Sequence, residues 1–376
     1  MWVVQGIVLF LILSAQAFYL ACIWQTLRFF RQPQPRSAMM PSDVSILVPI
    51  CGLDEGAWEN WTSLCHQQCD RYEILFGVVD PCDPAVPILQ KLHSTYPDRV
   101  RLFTGLTPRG VNHKDSTLSY LVEAAQYDWL ILADSDIRVE PDYIQTVISP
   151  LLNGDIGMIT CAFIARNPDY WGSAIASLGR CCDFIPSALI ARAMDGGLRF
   201  AIGMTMALHR VTLEAAGGLH LNRIGSDYNL GKRVAAAGYQ VELSRLIMES
   251  DTGRESLSQV YQRELRWSRT IRFNRGAIYY TMVFCYGLFF ALSLLLVNKF
   301  NSLSAIVFVL TISMRYVQAG IAIWYMSAFR LVKWLWLLPF RDILSFWIWL
   351  MGCFGNQVFW RGRRLRIKGD GLIREV

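Results

Sequence analysis

Charge is what this 376-residue chain has little of. Asp, Glu, Lys and Arg together make 18% of it, while 53% of its residues are hydrophobic; an ordinary soluble domain carries about 25% charge. That shortage excludes a disordered chain and a polar coiled coil, and the clustering of the apolar residues argues against a wholly soluble enzyme. The ten cysteines contain no CxxC pair. Cys65 and Cys69 flank His66, and Cys181 adjoins Cys182; they read as reduced thiols facing the cytoplasm rather than as a disulfide scaffold or a zinc site. Lys and Arg number 36 against 30 Asp and Glu, a net charge of +6. That balance suits anionic lipid or phosphate ligands. It does not supply the concentrated basic face that nucleic acid would require, so none is expected as a partner. The length allows about two or three units.

Residues 1–27 contain no charged side chain, enough to cross a hydrocarbon core that needs about 20 residues. They lack the basic start and small-residue cleavage site of a signal peptide. Arg28, Arg31 and Arg36 follow. The positive-inside rule then places the N-terminus outside and the next segment in the cytoplasm. Residues 28–41, with Pro33, Pro35 and Pro41, read as a stiff linker. A second membrane region is expected over 277–360: one span at 277–297, another at 303–326, an interfacial segment at 331–340 with Trp334 and Trp336, and a last span or re-entrant hairpin at 343–360. Arg315 falls inside a span and should face a protein cavity or a headgroup. The basic tail, 361–376, is expected in the cytoplasm.

Residues 42–258 change character. Strand patterns at 44–48, 73–79, 100–103 and 129–133 alternate with helical patterns at 84–96 and 116–127. Such alternation predicts an α/β unit with a parallel sheet covered on both faces, and ligands then sit beyond the carboxyl ends of the strands. Asp80, Asp134 and Asp136 fall at such ends. Two carboxylates one residue apart can share a Mg²⁺ or Mn²⁺ that keeps positions for diphosphate oxygens and offsets charge on a leaving group. Asp227 opens a further helical pattern and is either an N-cap or a general base. In 259–276, Arg263, Arg266, Arg269, Arg272 and Arg275 recur every third residue. Arg269 to Arg275 read as a snorkelling membrane-surface face, whereas Arg263 and Arg266 could grip a pyrophosphate beside Trp267. Residues 171–200, with Arg180, Asp183 and Arg192, read as an amphipathic helix packed on the sheet or as a headgroup-facing helix.

These signals together resemble membrane glycosyltransferases of the GT-A fold, and most closely the ceramide glucosyltransferase family (glycosyltransferase family 21). The resemblance rests on Val79-Asp80-Pro81-Cys82-Asp83-Pro84, Asn112-His113-Lys114, Asp134-Ser135-Asp136, Gly203-Met204, Gly217-Gly218-Leu219, Ser226-Asp227-Tyr228 and Arg263-Glu264-Leu265-Arg266-Trp267. It implies a D, D, D, (Q/R)xxRW signature. Asp80, with Asp83 and Lys114, would bind the nucleotide, and Asp134 the diphosphate and the metal together with Asp136. Asp227 would be the catalytic base, with Arg263, Arg266 and Trp267 completing the catalytic set. One departure is Asp136, where the ceramide enzymes carry Gly and the wider GT-A group carries Asp.

The activity implied is inverting transfer of one sugar, from UDP-glucose or another UDP-sugar, onto the hydroxyl of a bilayer lipid, with ceramide giving glucosylceramide. The protein is then expected to be a multi-pass protein of a bacterial inner membrane or of the Golgi or endoplasmic reticulum, with its catalytic domain in the cytoplasm. Hopanoid or diacylglycerol as acceptor, processive polysaccharide synthesis, and a catalytically dead lipid-binding protein stand as alternatives. Arg in place of Gln at the start of the last motif and the short C-terminal membrane region argue against the synthase.

Overall fold

The structure, a computed structural model, describes residues 2–33, 41–154, 156–250 and 253–376. It divides into two compact units. One comprises Met1–Gln32, Pro168–Ala193 and Arg254–Trp360; the other comprises Pro33–Asn167, Met194–Gly253 and Arg361–Val376. Helices and strands are numbered in chain order.

The second unit is α/β. Strands β1 (Val44–Ile50), β2 (Tyr72–Val78), β3 (Val100–Phe103) and β4 (Trp129–Ala133) pair in parallel. Two longer strands, β6 (Ile156–Ala165) and β8 (Gln240–Ser250), are also parallel to each other. Between β4 and β6 lies β7 (Thr205–His209), antiparallel to both, and the short β5 (Ile137–Arg138) edges β8. The order is β3-β2-β1-β4-β7-β6-β8-β5, so the sheet is mixed rather than wholly parallel. Ile46, Leu47, Val48, Ile74, Leu75 and Phe76 are all fully buried. Burial on both faces of a sheet is why these strands read as unbroken apolar runs instead of alternating ones. Helices α2 (Ala57–Leu64), α3 (Val86–Thr95), α4 (His113–Ala124), α5 (Tyr143–Ile148), α8 (Arg210–Ala215) and α9 (Ser226–Ala236) complete the unit. Trp61 of α2 packs against Phe76 at 5.8 Å between ring centroids; truncating a buried ring of that kind costs about 3–5 kcal/mol.

The basic tail is folded. Strands β10 (Arg363–Ile367) and β11 (Ile373–Glu375) form an antiparallel hairpin, with Leu365 opposite Glu375. Its inner residues Leu365, Ile367 and Ile373 are buried, which a charge count alone does not reveal.

The first unit is helical. Helix α1 (Trp2–Arg31) runs on past residue 27 and holds Arg28 and Arg31 in its last turn, where cations favour the exposed carbonyls. Residues 34–40 of the expected linker, including Pro35 and Arg36, lie outside the described residues. The other elements are α6 (Trp171–Gly179), a π-helical turn (Arg180–Phe184), α7 (Ile185–Met194), α10 (Leu257–Arg275), α11 (Gly287–Val297), α12 (Ser302–Tyr325), α13 (Leu338–Gly352) and strand β9 (Gln357–Trp360). Among the described residues, four helical stretches are long and apolar enough to cross a membrane: Val3–Arg31, Trp171–Met194, Ser302–Tyr325 and Phe329–Gly352. Polar pairs tie α1 to its neighbours, as membrane helices often are: Gln16 donates to Thr311 at 2.9 Å, and Arg31 donates to Tyr325 at 3.0 Å. Gly287 lies so close to Ala15 that an added Cβ would stand 2.7 Å from the alanine's.

Several expectations for this unit need correction. Residues 277–297 are not one continuous helix. Gly276, at φ 58°, ends α10; a 3₁₀ segment (Gly276–Cys285) follows, and α11 leaves it at a bend of 49°. The eleven residues of α11 rise only about 16 Å, half of a hydrocarbon core. The expected interfacial segment at 331–340 belongs to a 3₁₀ helix (Phe329–Leu337) that runs directly into α13, and the last helix stops at Gly352, well short of residue 360. Within the helical unit, α6 sits against α10 and α13, and the π-helical turn against α12. Arg269 and Arg272, expected on a snorkelling face, bond backbone carbonyls. Arg269 donates to the Phe354 carbonyl at 3.1 Å and to that of Gln357, and Arg272 to that of Gly355.

Arg315 faces protein, with 2% of its surface exposed. It pairs with Asp342 at 2.7 Å and Asp183 at 2.5 Å and donates to Gln318 and the Cys182 carbonyl. Arg341 donates to both carboxylate oxygens of Glu264, at 2.7 and 2.6 Å.

Candidate active site

The site in the α/β unit forms at the carboxyl ends of β2, β1 and β4, which are adjacent in that order. Asp134 follows β4 directly, and its backbone N–H donates to the Met204 carbonyl at 3.1 Å. Lys114, in the first turn of α4, makes an ion pair with the Asp134 carboxylate. The start of that helix is set by Asn112, whose side chain accepts from the Asp115 N–H at 3.2 Å, the capping geometry expected for Asn. The expected helix at 116–127 therefore begins three residues early and carries Lys114 with it.

Asp227 is not an N-cap. Gly225, in the left-handed region at φ 67°, occupies that position, and Asp227 falls within the first helical turn. Its carboxylate lies beside Gly203: a Cβ built there would stand 2.7 Å from Oδ2. Burial raises the Asp227 carboxyl, the Lys114 charge pulls it back down, and the Asp134 charge raises it again. Lys114 is thus the shared counter-charge of two carboxylates. Burial lowers the lysine itself, and the charges of Asp134, Asp227 and Asp115 more than reverse that, leaving it raised.

Asp136 accepts from the Ser250 hydroxyl at 2.9 Å. Its carboxyl is pushed up to about 6, first by burial, then by the charges of Asp134 and Asp54. Ser135 bridges this acidic patch, donating to Asp54 at 3.3 Å while its carbonyl accepts from the Trp61 indole at 3.0 Å. The donor set suits a divalent cation: two hard carboxylates one residue apart, one of them starved of positive charge. Among the described residues, no group of three or more His, Cys, Asp or Glu is arranged to hold a metal by itself, so remaining ligands would come from substrate and water.

Asp80 is exposed just beyond β2, and its carboxylate accepts from the Cys82 N–H at 2.9 Å. Asp83 is buried. It accepts from the Gly52 N–H at 2.7 Å and the Ala85 N–H at 2.9 Å, which joins the loop after β1 to the loop after β2. Arg263, Arg266 and Trp267 belong to the helical unit. Arg263 pairs with Glu255 and lies over the Trp267 ring at 5.3 Å, and Arg266 lies over Trp360 at 5.5 Å. The Arg263 Nε and Nη2 atoms are buried without a hydrogen-bond partner among the described residues, a costly state for a cation unless an anion is to arrive.

Two contributors escaped sequence reading. Asp54 lies on a loop after β1 with no motif around it. Asp115 adjoins Lys114, is bonded by Ser226, and is pushed up to about 7 chiefly by burial; its position three residues after a capping Asn was the available signal.

A family model described as glycosyl transferase family 21 matches residues 7–373. The chain belongs to glycosyl transferase family 21. This family 21 chain is 25% identical over 240 residues to ceramide glucosyltransferase 3 of Caenorhabditis elegans, covering 60% of this chain and 49% of that protein. It is 33% identical over 132 residues to a ceramide glucosyltransferase of Candida albicans, covering 31% and 23%. It thus spans about half or less of the curated relatives it matches. A solved structure, a mannosyltransferase from Pyrobaculum calidifontis in complex with GDP-Man and Mn²⁺, is 14% identical with a TM-score of 0.56, over 92% of this chain and 97% of that one. That likeness shows the fold, and the family 21 chain has the GT-A-like α/β architecture that its motifs implied.

Proposed function

We propose that the protein transfers one sugar from a nucleotide sugar, UDP-glucose in the first instance, to a hydroxyl of a membrane lipid, ceramide or a ceramide-like acceptor. The observation that carries this reading is the convergence of Lys114, Asp134 and Asp227 at the carboxyl end of the parallel strands, beside the half-buried Asp136. Membership of family 21, the ceramide glucosyltransferases among its relatives and the GDP-Man and Mn²⁺ bound by its structural neighbour all support it.

Asp227 acts as the base. Its carboxyl is raised by burial, which strengthens it as a proton acceptor, and the Lys114 ammonium opposes that rise by favouring the charged form. It takes the proton of the acceptor hydroxyl, whose oxygen attacks the anomeric carbon while the bond to the diphosphate breaks on the opposite face. One displacement of this kind inverts the anomeric configuration. Asp134 and Asp136 would hold a Mg²⁺ or Mn²⁺, which when bound supplies positive charge to the departing diphosphate. Asp80 serves the nucleotide, with Asp83 holding the loop that presents it. Arg263 offers two unpaired N–H groups, and with Arg266 it is assigned to diphosphate oxygens; Trp267 is assigned to the sugar or the acceptor. Arg28 and Arg31 at the end of α1 support, by the positive-inside rule, a cytoplasmic α/β unit.

The test is Asp227→Asn, with turnover followed as UDP release and lipid product by mass spectrometry across a panel of UDP-sugars and extracted lipids. Turnover should fall by about 10²-fold or more, with calorimetric binding of the UDP-sugar retained. A variant keeping more than about a tenth of the activity would remove Asp227 from the role.

A further inference from the structure

The hairpin formed by the C-terminal residues reaches the two loops from which Lys114 and Asp227 emerge. Those loops are fastened to each other first. The Asn112 N–H donates to the Leu221 carbonyl at 2.8 Å, and the Asn112 side chain donates to the Arg223 carbonyl at 2.8 Å and to Asp115 at 2.9 Å. The Val111 N–H donates to the Asn222 side chain at 2.9 Å. Gly110 permits the approach: a Cβ there would stand 2.5 Å from the Leu221 carbonyl oxygen and 2.6 Å from its Cβ.

The hairpin then grips both loops. The Ile224 N–H donates to the Gly371 carbonyl at 2.9 Å, and the Ile373 N–H donates to the Asn222 carbonyl at 2.9 Å. Arg223 pairs with Asp370. Arg363 donates to the Val111 carbonyl at 2.9 Å and is itself held by Glu375 at 3.0 and 2.9 Å. The same element thus bonds one loop three residues before Lys114 and the other three residues before Asp227. The buried side chains of Leu365, Ile367 and Ile373 fix the hairpin in turn.

We propose that the C-terminal hairpin is a positioning clamp for the reaction: Arg363 and Asp370, acting through residues 110–112 and 221–224, set the distance between the base and its counter-charge. Neither residue touches substrate. The inference rests on the reading of Asp227 as base, and its test separates the two. In the full-length protein with UDP-glucose and lipid acceptor, Arg363→Ala should lower kcat about tenfold, since displacements near 1 Å at a reacting group cost up to about 10². Calorimetric binding of UDP-glucose should change less than about twofold, because only transition-state interactions are lost. The exposed change Asp370→Ala, which spends little folding stability, should lower kcat in the same direction and leave the melting temperature in place.

The decisive comparison places Arg363→Ala on Asp227→Asn. If the clamp works by placing the base, its removal should cost less than about twofold in residual turnover once the base is gone, as members of one catalytic unit are non-additive. Equal costs in both backgrounds, or unchanged kcat in both hairpin variants, would overturn the clamp. Full activity of Asp227→Asn alone would instead overturn the assignment of the base.

Discussion

Gly203→Ala probes the site without removing any functional group. The Cβ it adds would meet Asp227 at 2.7 Å from Oδ2, 3.1 Å from Cγ and 3.2 Å from Cβ. Two carbon-bound atoms pack at about 3.5 Å or more, so the carboxylate has to withdraw by several tenths of an ångström or change rotamer. Gly203 has no left-handed backbone, so strain does not enter, and overpacking costs about 1–3 kcal/mol at most. A base displaced toward 1 Å loses up to about 10²-fold in rate; kcat should therefore fall by about 10- to 100-fold, while UDP-sugar binding by calorimetry changes little and the melting temperature falls by only a few degrees. Gly320→Ala in α12 is the control, because nothing lies within 4 Å of the added methyl and alanine is favoured over glycine in a helix by about 1 kcal/mol. Wild-type kcat in Gly203→Ala would mean that the observed carboxylate position is irrelevant to turnover, and the reasoning about Asp227 would fail with it.

Two further outcomes concern stability. Asp115 keeps its proton up to about pH 7 in the fold, against 3.8 for an ordinary Asp; the folded state then binds more protons than the unfolded one between those limits, so this group's contribution falls as pH rises through that window. Asp115→Asn should flatten that part of the melting temperature against pH between about 4 and 7, and an unchanged slope would contradict it. Breaking the buried Arg341–Glu264 pair by Glu264→Leu alone should cost about 3–5 kcal/mol, read from thermal unfolding in detergent, whereas Arg341→Met with Glu264→Leu should recover most of it; equal losses in single and double variants would mean the pair is not the source.

What could be read in advance followed how local each cause was. The run Leu130-Ile131-Leu132-Ala133 before Asp134 is strand-like by itself and ends at a charge, so β4 and the residue beyond it were legible. Lys114 was legible as a residue but not as part of α4, because the capping by Asn112 moves the helix start. The role of Asp183 in the α6–α7 segment was not legible, because its partner Arg315 lies 132 residues away. Hydropathy sums apolar side chains and is blind to backbone, so the break after Gly276 was hidden within a continuous apolar stretch. In the tail, Leu365 and Ile367 alternate with Arg364 and Arg366 in the two-residue period of a strand, but the density of positive charge drew the eye to the membrane.

Glu264 stands between Arg263 and Arg266 in sequence and is held by two hydrogen bonds from Arg341. Successive helical residues point about 100° apart, so a buried carboxylate with a bidentate partner acts as an index mark on α10. Were the helix to turn by a single residue, that carboxylate would lose its guanidinium, and the neighbouring arginines would swing with it. The azimuth of both arginines is therefore written into a residue of their motif to which the proposed chemistry gives no part.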